Sequence, residues 1–224
     1  MSRIVVFGAG GRAGRATVAE AVARGHRVTA VVRDPNRYAD LADAGAGDPD
    51  GAGDRLTLVA GDVTRADSVA AVAAGHDVAI NAAARLDVPA DEFYGAATRA
   101  LLAGLPEAGV GRLVAVGIGT VLETAPGVRV MDAPEFPAEA RAFSAGHAAE
   151  LDLLRAADTP VDWVVLAPPP VVLDAEAPRT GRYVAGGTAV LPTGSFSYAD
   201  LAVALVDEAT TPKHHRALIA LGSA

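Results

Sequence analysis

Glycines recur at every third position near the start of the chain, at Gly8, Gly11 and Gly14. Because glycine has no Cβ, backbone N–H groups there can approach phosphate oxygens closely, and a positive φ angle costs little. The free N–H groups and dipole at the start of a following helix also favour an anion. We therefore predict a turn that binds a dinucleotide pyrophosphate, with a purely structural turn as the alternative. The turn comprises Gly8, Ala9, Gly10, Gly11, Arg12, Ala13 and Gly14.

Two arginines could decide which dinucleotide is bound. The predicted second strand ends at Arg33, where an NAD site usually carries Asp or Glu for the ribose 2′-hydroxyl and an NADP site has an arginine for the 2′-phosphate. The guanidinium is a permanent cation suited to phosphate, and Arg12 could add a second. We favour NADPH, with NADH possible because Asp34 could hold the hydroxyl instead. Both arginines could also be solvated surface residues.

One acid–base pair is absent from the sequence. A tyrosine with a lysine four residues later would activate a substrate oxygen, but no tyrosine here has that partner, because the one lysine is Lys213. Phe143 and His147 have this spacing, and His147 could hydrogen-bond a ribose or donate a proton as the candidate catalytic residue; a helix-surface histidine is the alternative. No His-Glu-x-x-His or Gly-x-Ser-x-Gly pattern exists, so we expect neither a metal site nor a serine hydrolase.

Strands and helices that alternate along the chain must position these residues. Such alternation predicts a single doubly wound parallel sheet with helices on both faces, over residues 1–224. The glycine turn leads into a helix that ends at Gly25. The predicted strands are 4–7, 28–32, 55–60, 77–81, 113–116, 161–166 and 217–220, and the later helices are 35–44, 66–74, 90–108, 138–156 and 198–209. We expect a surface loop at 45–53 and a long connection with three prolines at 120–137.

Ligands of such sheets bind at the carboxyl ends of the strands, where the strand order reverses. Asp62 and Val63 follow the third predicted strand and would lie against the adenine, although Asp62 could equally start a turn or cap the next helix. Ala82 and Ala83 follow the fourth strand and would border the ribose.

Composition narrows the class of protein. A net charge of −8 argues against a general nucleic-acid binder, and no apolar run approaches the roughly 20 residues that span a bilayer. The chain has no cysteine, which excludes disulfides and thiolate chemistry, and it enters its first strand without a signal-peptide pattern. We expect a cytoplasmic protein; the sequence does not indicate an oligomeric state.

The chain resembles the atypical short-chain dehydrogenase/reductase superfamily. More narrowly, it is similar to small NAD(P)H-flavin reductases related to biliverdin-IXβ/flavin reductase and to NmrA-like proteins. The stretches that carry the resemblance cover nearly the whole chain, the C-terminal ones being the more specific: GAGGRAG, GHRVTAVVRDPNR, GDVTRADSVAAVAAGHDVAINA, RLVAVGIGT, APGVRVMDAPEFPAEARA, VDWVVLAPPPVV, RTGRYVAGG and SYADLAVALVDEATTPKHHR.

The resemblance implies a Rossmann-like fold, bound NAD(P)H and a substrate pocket over the nicotinamide. The loop after the fifth strand and the C-terminal segment, about 167–224, would form this pocket, with Ile118, Pro168 and Tyr183 in its lining. Pro168 could also belong to a simple strand-ending turn. Similar proteins often have Gly-Gly-Ala-Gly-Ser after the fifth strand, so Ile118 makes the pocket floor bulkier here.

These observations predict a reductase that transfers a hydride to a planar small-molecule acceptor such as a flavin or quinone. The nicotinamide carries the hard chemistry, and such acceptors need no tyrosine–lysine dyad. The alternatives are a non-catalytic dinucleotide sensor of the NmrA type and a tailoring enzyme of secondary metabolism.

Overall fold

The computed structural model describes residues 1–41, 55–192 and 195–224. In this part of the chain, ten strands and five α-helices follow one another as β1 (Arg3–Phe7), α1 (Arg12–Ala23), β2 (Arg27–Val32), β3 (Leu56–Ala60), α2 (Ala66–Ala73), β4 (Val78–Asn81), α3 (Ala90–Glu107), β5 (Arg112–Val116), β6 (Glu123–Ala125), β7 (Val128–Arg129), α4 (Ala138–Ala156), β8 (Asp162–Ala167), β9 (Val184–Gly186), α5 (Tyr198–Thr210) and β10 (Ala217–Gly222).

Eight of these strands form one sheet in the order β3-β2-β1-β4-β5-β8-β10-β9. All pairs are parallel except β10 with β9, which run antiparallel. The chain moves outward from β1 to β3, then returns to place β4 on the other side of β1. The strand order therefore reverses between β1 and β4, which is where an open sheet of this kind binds its ligand.

Alternate side chains of the strands supply the two core layers, as a strand buried on both faces requires. On one face, Val5 and Phe7 of β1 belong to a buried cluster with side chains from α2, α3 and α4. On the other, Ile4 and Val6 belong to a cluster with side chains from α1 and α5. The predicted doubly wound sheet with helices on both faces is thus confirmed.

Sequence patterns identified the regular elements better than the irregular segments. The predicted helix 138–156 has the observed bounds of α4, whereas the segment from Pro35 begins as a short 3-10 turn, Pro35–Tyr38. The predicted long connection 120–137 contains the hairpin of β6 and β7, which the sequence did not indicate. Edge strand β9 was not predicted. The end of the predicted helix 35–44 and the predicted loop 45–53 lie outside the described residues.

Candidate active site

The glycine turn directly follows β1 and leads into α1. Gly8 has φ +74°, a backbone conformation that favours glycine. The turn is closed by the Gly11 N–H, which donates to the Gly8 carbonyl at 3.1 Å. Gly11 is the N-cap of α1 and provides no side-chain acceptor to the first turn of the helix. The N-terminal N–H groups of α1 are thus left without a side-chain cap beside the cleft, where an anion could accept from them.

Backbone packs directly on backbone around this turn. A Cβ at Gly8 would lie 2.4 Å from the Cα of Ala83, and a Cβ at Gly14 would lie 2.1 Å from the Gly8 carbonyl oxygen. Ala82 and Ala83 therefore lie beside the turn, and both line the cleft. Ala9 is fully buried, and Gly14 lies where α1 packs on the turn, so these two support the site rather than line it.

Basic side chains surround the β2 end of the cleft. Arg12 and Arg33 line it as predicted, and Arg37, from the turn after β2, joins them. Within the described residues, none of these three guanidinium groups forms a hydrogen bond or ion pair. The Asp34 carboxylate accepts from the Asn36 N–H at 3.1 Å and so caps the short helical turn. One carboxylate oxygen that could have held a ribose hydroxyl is thus engaged locally.

Asp62 and Val63 line the cleft after β3, as predicted. The Asp62 carboxylate accepts from the Thr64 N–H at 2.9 Å and from the Thr64 hydroxyl at 2.6 Å. It therefore forms the turn that the sequence left open as an alternative, whereas the N-cap of α2 is Arg65. Asp62 and Val63 thus both line the cleft, and the Asp62 side chain stabilises the loop after β3.

The β5 end of the cleft is apolar and aromatic. Ile118 and Pro168 meet here as predicted, on the loops after β5 and β8. Aromatic rings from α3, α4 and the preceding connection complete this lining: Phe93, Tyr94, Phe136, Phe143 and His147. The Thr120 hydroxyl donates to Ser144 Oγ at 2.8 Å and so joins the β5 loop to α4. The whole cleft encloses about 1380 Å³, more than the roughly 300–1,000 Å³ of a single small-molecule pocket.

His147 supplies an imidazole at this end of the cleft. The residue is buried, with 7% of its surface exposed, and does not lie on the helix surface. Its Nδ1 lies 3.1 Å from Glu150 Oε2, and Glu150 is itself 3% exposed. The ring of Tyr94 packs against the imidazole with 4.0 Å between centroids. Burial, with the charge of Glu150, raises the pKa of Tyr94 well above that of a free phenol. The phenol therefore stays protonated through the neutral range.

Tyr183 does not reach the cleft, and the prediction that it lines the substrate pocket is wrong. Its hydroxyl donates to Asp207 Oδ2 at 2.9 Å, and its ring packs on the core layer of α1 and α5. Burial and this hydrogen bond raise the pKa of Tyr183. The segment before β9 leads to the far edge of the sheet, two strands beyond β8, and so it carries Tyr183 away from the site.

Sequence reasoning missed several cleft residues. Arg37 follows Arg33 by four residues, and Glu150 follows His147 by three, which places it on the same side of a helix. Those spacings could have indicated both. Tyr94 comes from a different helix than His147, and no local pattern indicates that the two rings meet.

The described residues contain no helix with the length and apolar character needed to cross a membrane. The same part of the chain holds no group of three or more metal-ligating side chains close enough to bind an ion.

Comparison with known proteins agrees with this geometry. A family model described as NAD(P)H-binding matches residues 8–212. The uncharacterized protein YwnB of Bacillus subtilis (strain 168) is 32% identical over 219 residues, which cover 95% of this chain and 94% of YwnB. A candidate epimerase from Bacteroides thetaiotaomicron is 31% identical with a TM-score of 0.83, over 99% of this chain and 97% of that one.

A candidate NADH-flavin reductase from Streptococcus pneumoniae is 26% identical, with a TM-score of 0.77 over the full length of both chains. The family match begins at Gly8 and extends through the β1–α1 turn, the arginine-lined end and the aromatic end of the cleft. A nicotinamide dinucleotide is therefore the cofactor class of this chain, which belongs to the NAD(P)H-binding family.

Proposed function

We propose that this protein is an NADPH-dependent reductase whose acceptor is a planar ring system such as a flavin or quinone. The observation that carries the proposal is a cleft that joins a dinucleotide turn to a separate aromatic pocket. When bound, the reduced cofactor supplies a hydride. The likeness to the candidate NADH-flavin reductase of S. pneumoniae supports the same reaction class.

The preference for the phosphorylated cofactor rests on the three arginines. Arg12, Arg33 and Arg37 form a cationic cluster without carboxylate partners in the described part of the chain. Each guanidinium can donate a charge-assisted hydrogen bond to the 2′-phosphate of NADPH. The neutral 2′-hydroxyl of NADH accepts only a weaker hydrogen bond at the same place. The Asp34 carboxylate would favour NADH, but one of its oxygens already accepts from the Asn36 N–H. This proposal concerns the adenosine end and stands apart from the identity of the acceptor.

The aromatic pocket would orient the acceptor and exclude water. Flat rings pack on Phe93, Tyr94 and Phe143, and Ile118 fixes how deep they enter. Placing the acceptor ring against the cofactor supplies the orientation that hydride transfer needs. No chain group has to attack the acceptor covalently, which agrees with a site that has no thiol, no metal cluster in the described residues and no tyrosine–lysine dyad.

His147 would donate the proton that balances the hydride. In this arrangement Glu150 fixes the ring through Nδ1, so Nε2 is the nitrogen that can face the acceptor. One hydride and one proton reduce a quinone or flavin by two electrons, and the imidazole then recovers its proton from water. Glu150 acts through His147 as a positioning residue, because its contact with Nδ1 fixes the orientation of the ring.

The experiment that tests the proposal is steady-state oxidation of NADPH, followed at 340 nm, with riboflavin and neutral quinones as acceptors. We expect saturable turnover with at least one of them and a higher kcat/KM for NADPH than for NADH. Binding of NADPH without oxidation by any acceptor would overturn the proposal and favour a dinucleotide sensor.

The role of His147 and Glu150 has its own test. We expect His147→Gln to lower kcat by about 10²-fold, the usual contribution of a general acid, with an unchanged dissociation constant for NADPH. Glu150→Ala should also lower kcat with an unchanged dissociation constant for NADPH, and Glu150→Gln should restore part of the lost kcat, because its amide oxygen can still accept from Nδ1. A kcat of Glu150→Ala equal to that of the parent enzyme, or no rescue by Glu150→Gln, would refute the positioning role.

A further inference from the structure

The lining of the cleft is sorted by charge along the order of the strands. Every charged side chain that lines it lies between residues 8 and 87, on the loops of β1, β2, β3 and β4. The charged set is Arg12, Arg33, Asp34, Arg37, Asp62, Arg85 and Asp87. From Phe93 onward, the described lining contains no Arg, Lys, Asp or Glu. The aromatic pocket is therefore built without a fixed charge.

The nearby arginines do not supply the missing cation. Arg85 donates to Asp87 at 2.8 Å, and this contact, with a contribution from Arg33, holds the pKa of Asp87 at about 2. Arg141 packs over the Phe136 ring but donates to the backbone carbonyls of Met131 and Phe136, at 2.6 and 3.1 Å.

Behind the described lining, Glu150 places an anion against His147. Glu150 is hydrogen-bonded to His147, so the pair is neutral when the imidazole is protonated and negative when it is not. In neither state does this pair offer a net positive charge. An anionic substituent buried here would lose its hydration without gaining a partner.

The rim of the pocket is apolar as well. Val172 on the β8 loop is 92% exposed, and Val171 beside it is 42% exposed. Both line the cleft. Such exposure of large apolar side chains is typical of surfaces that contact an apolar ligand, so a ring that projects from the pocket would still meet apolar side chains.

We propose that the acceptor is electrically neutral: the pocket selects an uncharged planar ring system and discriminates against the same ring with a sulfonate, phosphate or carboxylate. This inference rests on the proposed reductase function and adds a substrate class to it. It separates this protein from any enzyme that recognises an acceptor by an anionic group, because that recognition needs an arginine or lysine at the acceptor end.

Calorimetric binding to the protein saturated with NADP⁺ tests the inference without requiring turnover. The probes are 1,4-naphthoquinone and 1,4-naphthoquinone-2-sulfonate, which share a ring and differ in charge. The chain has no cysteine for a quinone to alkylate. We expect the neutral quinone to bind at least about tenfold more tightly, because an unpaired buried charge is costly. Equal affinities, tighter binding of the sulfonate, or no binding of either quinone would overturn the inference.

Two matched variants locate the effect. Ala140 lines the pocket on α4, whereas Ala138 is exposed on the same helix and does not line it. Ala140→Arg should narrow the preference for the neutral quinone by about tenfold, and Ala138→Arg, with the same change in net charge, should leave it unchanged. Equal effects of the two would refute a local origin.

The outcomes separate the two proposals. If the neutral quinone binds selectively to the NADP⁺ complex but NADPH is never oxidised, the reductase proposal fails and the neutral pocket stands. If NADPH is oxidised equally well by both quinones and both bind equally, the reductase stands and the neutral pocket fails.

Discussion

The tight packing at Gly14 leads to a prediction about both stability and cofactor binding. Replacing this glycine by alanine adds a Cβ that would lie 2.1 Å from the Gly8 carbonyl oxygen and 2.8 Å from the Ala9 Cα. Both neighbours are backbone atoms of the same turn, so neither can rotate away. Since carbon and oxygen need more than about 3 Å, α1 and the turn must move apart by about 1 Å.

The size of the effect follows from two opposing contributions. Overpacking a well-filled site costs about 1–3 kcal/mol, and the contact here is severe enough to suggest the upper part of that range. Alanine inside a helix returns up to about 1 kcal/mol relative to glycine. We therefore expect Gly14→Ala to lower the free energy of unfolding by about 2 kcal/mol, or Tm by about 4–8 °C for a chain of this size.

Gly11→Ala is the matched control, because its Cβ would lie 3.5 Å from the same carbonyl oxygen, an ordinary contact. Its φ of −77° and ψ of 170° are also allowed for alanine. This variant should lose at most about 1 kcal/mol, the usual cost of alanine at an N-cap. Urea unfolding and NADPH titration of both variants provide the assay. A Gly14→Ala protein as stable as the parent, with the same NADPH affinity, would show that the turn does not depend on this close approach.

Three other expectations follow from the described contacts. Arg33→Ala should weaken NADPH binding about tenfold and NADH binding less than twofold. Arg27 is exposed at the opposite end of β2, so Arg27→Ala should change the affinity for neither cofactor. Equal losses of affinity for the two cofactors in Arg33→Ala would contradict the assignment of Arg33 to the 2′-phosphate. Glu20 accepts from Arg179 and Arg24, and these contacts lower its pKa from 4.5 despite burial. Glu20→Gln should therefore reduce the free energy of unfolding most at neutral pH. The difference in free energy of unfolding from the parent should shrink when urea unfolding is repeated below pH 4.5. Tyr183→Phe should cost about 1 kcal/mol of stability and leave kcat and KM unchanged, and a large kinetic loss would restore it to the site.

The sequence predicted the part of the site that depends on local geometry. Gly8 and Gly14 adjoin a strand and a helix that are consecutive in the chain, so their spacing already encodes the turn. The same holds for Arg33, which directly follows β2. Each of these residues lies on its own βα connection, and one connection determines its place.

The aromatic pocket was only partly predicted, because it depends on contacts between distant segments. Tyr94 and His147 meet because α3 and α4 pack side by side on one face of the sheet. Tyr183 shows the opposite failure: it precedes a short antiparallel strand whose pairing with β10 no local pattern indicates. Residues placed by such pairings are the least accessible to reasoning from one sequence.

The charge sorting of the cleft follows from its topology. In the proposed function, the loops of β1 to β3 hold the adenosine end of the cofactor, and the loops of β5 and β8 lie on the other side of the point where strand order reverses. Residues that would select the cofactor and residues that would select the acceptor are then carried by different connections. Substitutions after β5 or β8 can change the acceptor without disturbing the dinucleotide turn. This separation explains how chains with one fold, such as the candidate epimerase and the candidate flavin reductase, can differ in chemistry, and it makes the uncharged lining from Phe93 onward informative about the acceptor alone.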